Sequence, residues 1–381
     1  MNEIIQGDCL EVMKTFPDNH FSCIVTDPPY GLSFMGKGWD YAIPDVHYWK
    51  EAFRICKPGS FLVAMGGTRT FHRLTCAIED AGFEIRDCIS WLYGSGFPKS
   101  HNKFGLEGYG TALKPAWEPC IVAMKPCDGT FKQNAEKWGQ AGINIAASRI
   151  GTDLIPNSND HTSHQKWKEQ DGRAPKEVSK GELTYSKGRW PANVILDEEA
   201  GAMLDEQSGF SKPKQQREGV KGGSGFGYFD DEKTSTMKGV WPGDNGGGAS
   251  RFFYCAKASS SERNEGLEGL PEICKPLMGE FKDNPGRETP KSSPTARQNH
   301  HPTVKPLKLM EYLIKLVMPP KDGLLLDPFA GSGTTILAAK RLGFDAIGIE
   351  KSEEYAEIAR SRINAFDNEM ENDSQLLLEI V

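Results

Sequence analysis

The chain has 381 residues, 38% hydrophobic and 25% charged, which is enough for one large α/β domain with a smaller insertion. Its net charge is −7, but from Glu350 onward nine acids face three bases, so the rest is close to neutral and the acidic total does not exclude nucleic acid. No apolar run approaches the ~20 residues of a membrane helix, no signal-peptide pattern opens the chain, and nine cysteines without a Cys-x-x-Cys pair suggest neither zinc nor a disulfide framework. A cytoplasmic protein without a metal is expected.

Apolar runs alternate with amphipathic stretches along the first third. EIIQG (3–7) and SCIVTD (22–27) are predicted strands. Residues 47–57 have helical spacing and stop at Pro58-Gly59. SFLVAMGG (60–67) is a strand, 68–82 a helix closing on Gly82, and 84–94 and 118–126 further strands. Continuous apolar strands alternating with helices predict a parallel-type sheet covered on both faces.

From about 127 to 250 this rhythm breaks into polar, Gly-rich stretches, with strand-like islands at RWPANVIL (189–196) and RFFYCAKA (251–258). Residues 259–300 read as an exposed loop. After 301 the α/β alternation returns. A helix is predicted over 306–318, strands over 323–328 and 345–350, and helices over 334–342 and 352–366, with a frayed acidic end. The sheet is thus built from both ends of the chain, as residues 1–126 and 251–381, around an insertion at 127–250.

Two motifs carry the chemistry. The strand SCIVT runs into Asp27-Pro28-Pro29-Tyr30. About 300 residues later, LLLDPFAGSGTT (324–335) passes from strand to acid to glycine loop to helix, a design that lets backbone approach a ligand and presents N–H groups. No lysine follows Gly333, which rejects a Walker P-loop, and Ile336 weakens a dinucleotide fingerprint. A site for S-adenosylmethionine remains: Asp327 suits its cationic amino-acid end, and Glu350, ending the next strand, can accept from both ribose hydroxyls.

Asp27-Pro28-Pro29-Tyr30 together with Asp327-Pro328-Phe329-Ala330-Gly331-Ser332-Gly333 resembles the amino-methyltransferases that modify exocyclic amines of DNA bases. The order, catalytic motif first and cofactor motif last, resembles their permuted beta group. Gly7-Asp8 and His301-Pro302-Thr303-Val304-Lys305-Pro306 match as well, so the likeness covers about 1–126 and 251–381 and is weak between. The resemblance implies a circularly permuted Rossmann-like sheet with an inserted target-recognition region. It implies S-adenosylmethionine as cofactor, held by Asp8, Cys9, Thr303, Lys305, Pro328 to Thr334 and the two acids Asp327 and Glu350. It also implies double-stranded DNA as partner, with a homodimer and a cognate restriction endonuclease as further candidates. Adenine N6 is the expected target, because Asp in the first motif position is commoner in the adenine enzymes; N4 of cytosine is the alternative. Methylation of RNA or of a protein amide, whose enzymes usually carry Asn in place of Asp27 and the cofactor motif first, and an inactive DNA-binding protein of this fold are the remaining alternatives.

The chemistry explains the residue types. An aromatic amine is a poor nucleophile until its lone pair turns out of the ring plane. Asp27 and the Pro28 carbonyl can accept its two N–H groups, and the two prolines hold both acceptors in place. Tyr30 would stack on a base flipped out of the duplex. Asp8 lies near the cofactor's adenine by resemblance, or simply caps the helix of LEVMKTF. Thr303 borders the methionine end, or caps the next helix. His300 and His301 have no third metal ligand at sensible spacing. Lys221, Arg251 and Lys257 are candidates for phosphate contact, or ordinary solvated charges.

Overall fold

The computed structural model describes residues 2–32, 40–94, 96, 100, 105–156, 185–213, 217, 218, 240, 241, 245–256, 264, 267, 299, 301, 303–320 and 322–379. In chain order the first half gives β1 (Asn2–Gln6), α1 (Cys9–Met13), β2 (Phe21–Thr26), α2 (Val46–Ile55), β3 (Cys56–Met65), α3 (Phe71–Asp80), β4 (Glu84–Leu92), β5 (Trp117–Met124) and α4 (Phe131–Trp138). The middle gives β6 (Ile150–Pro156), β7 (Tyr185–Arg189), β8 (Val194–Asp197), α5 (Glu198–Ser208), β9 (Arg217–Glu218), β10 (Val240–Trp241) and β11 (Tyr254–Ala256). The last part gives α6 (Leu307–Val317), β12 (Leu324–Asp327), α7 (Thr334–Arg341), β13 (Asp345–Glu350) and α8 (Glu353–Glu379).

Nine strands form one sheet in the order β1-β13-β12-β2-β3-β5-β4-β8-β11. Every pairing in it is parallel except those of β5, which runs antiparallel to both β3 and β4. The parallel-type sheet read from the sequence therefore holds with one reversal. A parallel return from β4 to β5 would need a crossover element, and the described residues of the connecting stretch contain none.

Side chains alternate across the sheet as a doubly covered strand requires. Cys23, Val25, Val63 and Leu325 pack on one face with α6, α7 and α8. Ile24, Leu62, Ala64 and Leu326 pack on the other with α1, α2 and α3. α6 is nearly apolar all round, and nine of its residues are buried. This places it against the sheet rather than at a surface.

Some boundaries differ from those predicted. RWPANVIL is divided, with β7 ending at Arg189 and β8 starting at Val194; Pro191 between them has no N–H to give a ladder. The 127–250 stretch contributes β8 to the main sheet, beside β4. The final helix continues to Glu379. Among the described residues no helix is long and apolar enough to cross a membrane.

Candidate active site

Parallel strands put their carboxyl ends together, and the site lies there. β12 pairs with β2 through Leu325 with Cys23 and Leu326 with Ile24. The two motifs, remote in sequence, therefore leave the sheet side by side. Thr26 Oγ1 donates to Asp327 Oδ1 at 2.6 Å, a buried bond that joins the two strand ends. β13 lies beyond β12 and ends at Glu350; β1 lies beyond β13, and the Gly7 N–H donates to the Glu350 carbonyl at 2.9 Å.

Around Asp27 three polar side chains converge, those of Lys305, Tyr30 and Glu118. Lys305 Nζ is 2.5 Å from Asp27 Oδ2 and 3.6 Å from Glu118 Oε2. The Tyr30 hydroxyl oxygen is 2.8 Å from Asp27 Oδ1 and 2.9 Å from Glu118 Oε2. The lysine and aspartate side chains retain only 10% and 18% of their exposure, so solvent screens the pair weakly. Burial alone would lower the Lys305 pKa, but Asp27 and Glu118 outweigh it and hold the ammonium above the ordinary lysine range. Burial, and then the same two carboxylates, push the Tyr30 phenol well above its usual value. The lysine also lies over the Tyr30 ring, 5.3 Å from its centre.

The turn after the prolines is held by Asp40, which is 2% exposed. Its Oδ1 accepts from the N–H groups of Tyr30 at 2.8 Å and Gly31 at 2.9 Å, and its Oδ2 from Leu32 at 3.2 Å. Thr70 Oγ1 donates to the Tyr30 carbonyl at 2.6 Å. The tyrosine backbone is thus tied on both sides.

A cleft of about 570 Å³ opens on the β1–β13–β12 side, walled by Asp8, Cys9, Pro29, Phe329, Gly331 and Glu350, and also by Thr303, Lys305, Asp327, Pro328, Ala330, Ser332 and Thr334. A second, of about 360 Å³, opens towards β4 and β5, walled by Pro28, Tyr30, Trp91, Tyr93, Trp117 and Glu118. The two share Asp27, Thr303, Val304 and Lys305.

The glycine loop needs its glycines for different reasons. Gly331 has φ +53, and a Cβ there would meet the His301 ring at 3.0 Å, on the cleft side. Gly333 has φ +77 and is the N-cap of α7; a Cβ there would strike the Cβ of Ala359 on α8 at 2.7 Å. Below the loop Arg362, 2% exposed, donates to the Ser332 carbonyl at 2.7 Å and to Thr334 Oγ1 at 3.0 Å.

The acids of this cleft differ in state. Asp327 is 1% exposed; burial pushes its carboxyl up to about 6, against the donors Thr26, Thr335 and the Phe329 N–H. Burial also raises Glu350, whose Oε2 accepts from the Gly331 N–H and Oε1 from the Ser352 N–H, both at 2.8 Å. Burial would raise Asp8, but Lys351 and the N–H groups of Leu10 and Glu11 hold it below the usual carboxylate range. Asp8 is the N-cap of α1 and also walls the cleft, so the two readings of it are compatible. Burial, and then the Asp8 charge, push the Cys9 thiol up to about 12, as in an inert core cysteine. Thr303 does not cap α6, whose N-cap is Pro306.

Three contributors had no sequence signal. Glu118, Asp40 and Arg362 belong to no motif and acquire their positions from the fold. Lys305, expected among the residues that hold the cofactor, pairs with Asp27 at the junction of both clefts. Arg251 precedes β11, at the end of the sheet away from Asp27; it donates to Ser211 Oγ at 2.9 Å and to the Gly247 carbonyl, and lies over the Phe252 ring. Lys221 and Lys257 lie outside the described residues. Among the described residues no three His, Cys, Asp or Glu side chains gather as a metal site.

The Type II methyltransferase M2.LlaDCHI of Lactococcus lactis subsp. cremoris is 43% identical over 95 residues, 23% of this chain and 34% of that protein. M2.DpnII of Streptococcus pneumoniae is 51% identical over 65 residues, 17% of this chain and 24% of that protein. The chain thus covers about a third or less of these relatives' lengths. Among solved structures, M1.HpyAVI in complex with SAM aligns over 96% of this chain and 100% of that one, at 17% identity and a TM-score of 0.41. The PvuII DNA methyltransferase (cytosine-N4-specific) aligns over 95% and 86%, at 16% identity and a TM-score of 0.47. The family model for N6/N4 methyltransferases, described as DNA methylase, matches residues 21–361. That match spans most of the 381 residues, and the chain belongs to this family of DNA methylases.

Proposed function

We propose that this chain methylates the exocyclic N6 amine of adenine in double-stranded DNA, using S-adenosylmethionine. One observation carries the reading. Asp27 and Asp327 stand at the ends of neighbouring strands; Asp327 walls the larger cleft, which meets the smaller one at Asp27 and Lys305. One cleft suits a methyl donor and the other a base turned out of the helix, with the acceptor carboxylate between them.

The residues of the larger cleft fit S-adenosylmethionine. Glu350 binds one backbone N–H on each oxygen and keeps a second lone pair on each for a ribose hydroxyl. Asp327 offers a carboxylate to the ammonium end, and Pro328 to Thr334 supply the loop against which the molecule lies. Asp8 and Cys9 wall the side assigned to its adenine, and Thr303 the side of its methionine. When bound, the cofactor supplies an electrophilic methyl on a sulfonium, a chemistry no side chain here possesses.

The protein's part is orientation. Asp27 and the Pro28 carbonyl accept the two amine N–H groups and turn the lone pair out of the ring plane; Pro28 and Pro29 keep these acceptors from relaxing. Tyr30, Trp91, Tyr93 and Trp117 give the smaller cleft the aromatic walls that a flipped base requires. Stacking there is worth about 1–3 kcal/mol and offsets part of the few kcal/mol of unstacking.

Residues 1–126 are the catalytic half, 251–381 the cofactor half, and 127–250 are assigned to target recognition. The DNA substrate puts the enzyme in the cytoplasm of a bacterial or phage-infected cell. The test uses pure protein, labelled S-adenosylmethionine and unmethylated genomic DNA, digested to nucleosides and analysed by mass spectrometry. N6-methyladenine is expected. N4-methylcytosine alone would overturn the adenine assignment and keep the mechanism. No modified nucleoside, with cofactor bound, would overturn the reading.

A further inference from the structure

Both oxygens of Asp27 face donors, Lys305 Nζ at 2.5 Å and the Tyr30 hydroxyl at 2.8 Å. A target amine would share that carboxylate with an ammonium and a phenol, which draw its negative charge away from a third donor. Glu118 Oε2 lies 2.9 Å from the same phenol oxygen and 3.6 Å from the same ammonium. A single carboxylate oxygen is therefore the alternative acceptor for both donors.

We propose that Glu118 is a positioning residue that takes over the Lys305 ammonium and the Tyr30 proton when the target base enters, releasing Asp27 to accept the amine. The proposal rests on the reading of Asp27 as the amine's acceptor. A phenol carries one proton and donates to one acceptor at a time, so turning it from Asp27 to Glu118 needs rotation of the O–H alone. Lys305 has three N–H groups on a flexible stem, and closing its 3.6 Å separation from Glu118 to a charge-assisted bond takes a shift of about 1 Å. No charge leaves the cluster: an ammonium and a phenol stay between two carboxylates throughout. Without a second acceptor, withdrawing Lys305 from Asp27 would strand a charge in a weakly screened site. The exchange removes that obstacle and explains a second acid beside the motif acid.

The test compares wild type, Glu118→Gln, Glu118→Asp, Lys305→Met and the Glu118→Gln/Lys305→Met double variant on unmethylated genomic DNA, with Asp27→Ala as control. Cofactor affinity by calorimetry, DNA affinity in the presence of S-adenosylhomocysteine, and thermal midpoints are measured alongside. Glu118→Gln is expected to lower kcat by roughly 100-fold, as misplacement of about 1 Å does, with cofactor affinity unchanged and the protein folded by its thermal midpoint. The double variant is expected to be no slower than Lys305→Met alone, since the charge of Glu118 acts through that lysine and the glutamine oxygen can still accept from Tyr30. Glu118→Asp keeps the charge and withdraws it by one methylene, so its kcat should fall too, and it carries the test if Glu118→Gln loses its fold. Unchanged kcat in a folded Glu118 variant, or additive losses in the double variant, would overturn the proposal. An active Asp27→Ala would instead overturn the reading on which it rests.

Discussion

Lys305 and Asp27 stand 278 residues apart in sequence and 2.5 Å apart in space, and their ion pair is the junction between the two clefts. The lysine approaches from the segment before α6 and the aspartate from the end of β2. Everything assigned to the reaction lies within reach of that contact.

The first prediction concerns the acid of the pair. Asp27→Ala removes one of two preorganised acceptors, and losing one such contact typically costs about 10²–10³ in kcat. Cofactor affinity should stay within about twofold, because Asp27 is held by Lys305 and Tyr30 rather than by the glycine loop. Turnover near wild type in this variant would remove the role given to Asp27.

The second concerns the base of the pair. Lys305→Met leaves a carboxylate with 18% side-chain exposure without its counter-charge. Breaking a buried pair from one side costs about 3–5 kcal/mol, and the residual exposure puts the expected loss at the lower end. Denaturant titration reads this directly; an unchanged midpoint would mean that water already screens Asp27.

The third is a pH dependence with two opposite signs. The carboxyl of Asp327 is raised by burial from 3.8 to about 6. A raised carboxyl contributes stability that is fully present below about 3.8 and lost as pH rises through about 6. In the unliganded protein, the stability of wild type minus that of Asp327→Asn should therefore decrease from pH 4 to pH 7. Binding of the cofactor's ammonium needs the ionised form, so affinity should fall by about tenfold per pH unit below the same pKa. Calorimetry at several pH values checks this second sign, and an affinity flat across that range would exclude Asp327 from the ammonium's site.

The fourth separates the two glycines of the loop. Gly331→Ala should weaken cofactor affinity, because its Cβ enters the cleft and meets His301 at 3.0 Å. Gly333→Ala should lower the thermal midpoint instead, because its Cβ meets Ala359 at 2.7 Å. Overpacking of that kind costs about 1–3 kcal/mol. Equal effects of both substitutions on affinity and on midpoint would contradict this division. Gly331→Val should lose more affinity than Gly331→Ala.

The fifth tests the brace behind Tyr30. Asp40→Ala leaves the N–H groups of Tyr30, Gly31 and Leu32 without the carboxylate they share. An unsatisfied buried donor costs about 1–3 kcal/mol. We expect a lower kcat with unaltered cofactor affinity, since the turn borders the base cleft and not the glycine loop. A kcat equal to wild type would show that Thr70 alone holds the tyrosine.

The strand ends were legible because their signals are local. An apolar run closing on an acid, as in Cys23 to Asp27 or Leu324 to Asp327, states its element and its exit in adjacent residues. Glu118 was not legible. It opens β5 as Trp117-Glu118-Pro119 and looks like any polar strand start until Met65 is set against Cys120 in an antiparallel register. An apolar run carries no direction, so the reversal of β5 could not be read either. Arg362 occupies a helix position that elsewhere would face solvent, and only the docking of α8 under the glycine loop buries it.

The pairing of β2 with β12 also has a consequence for synthesis of the chain. Neither strand can complete the site alone, and the residues that meet, Cys23 and Leu325, are separated by nearly the whole chain. Contacts of such high sequence separation form late, after the loop-closure entropy between them has been overcome. A nascent chain that ends between Lys305 and β12 would carry Asp27 and Lys305 without a glycine loop, and one that ends before Lys305 would lack both. Premature termination before β12 would therefore leave the site incomplete, whatever the state of the first 126 residues.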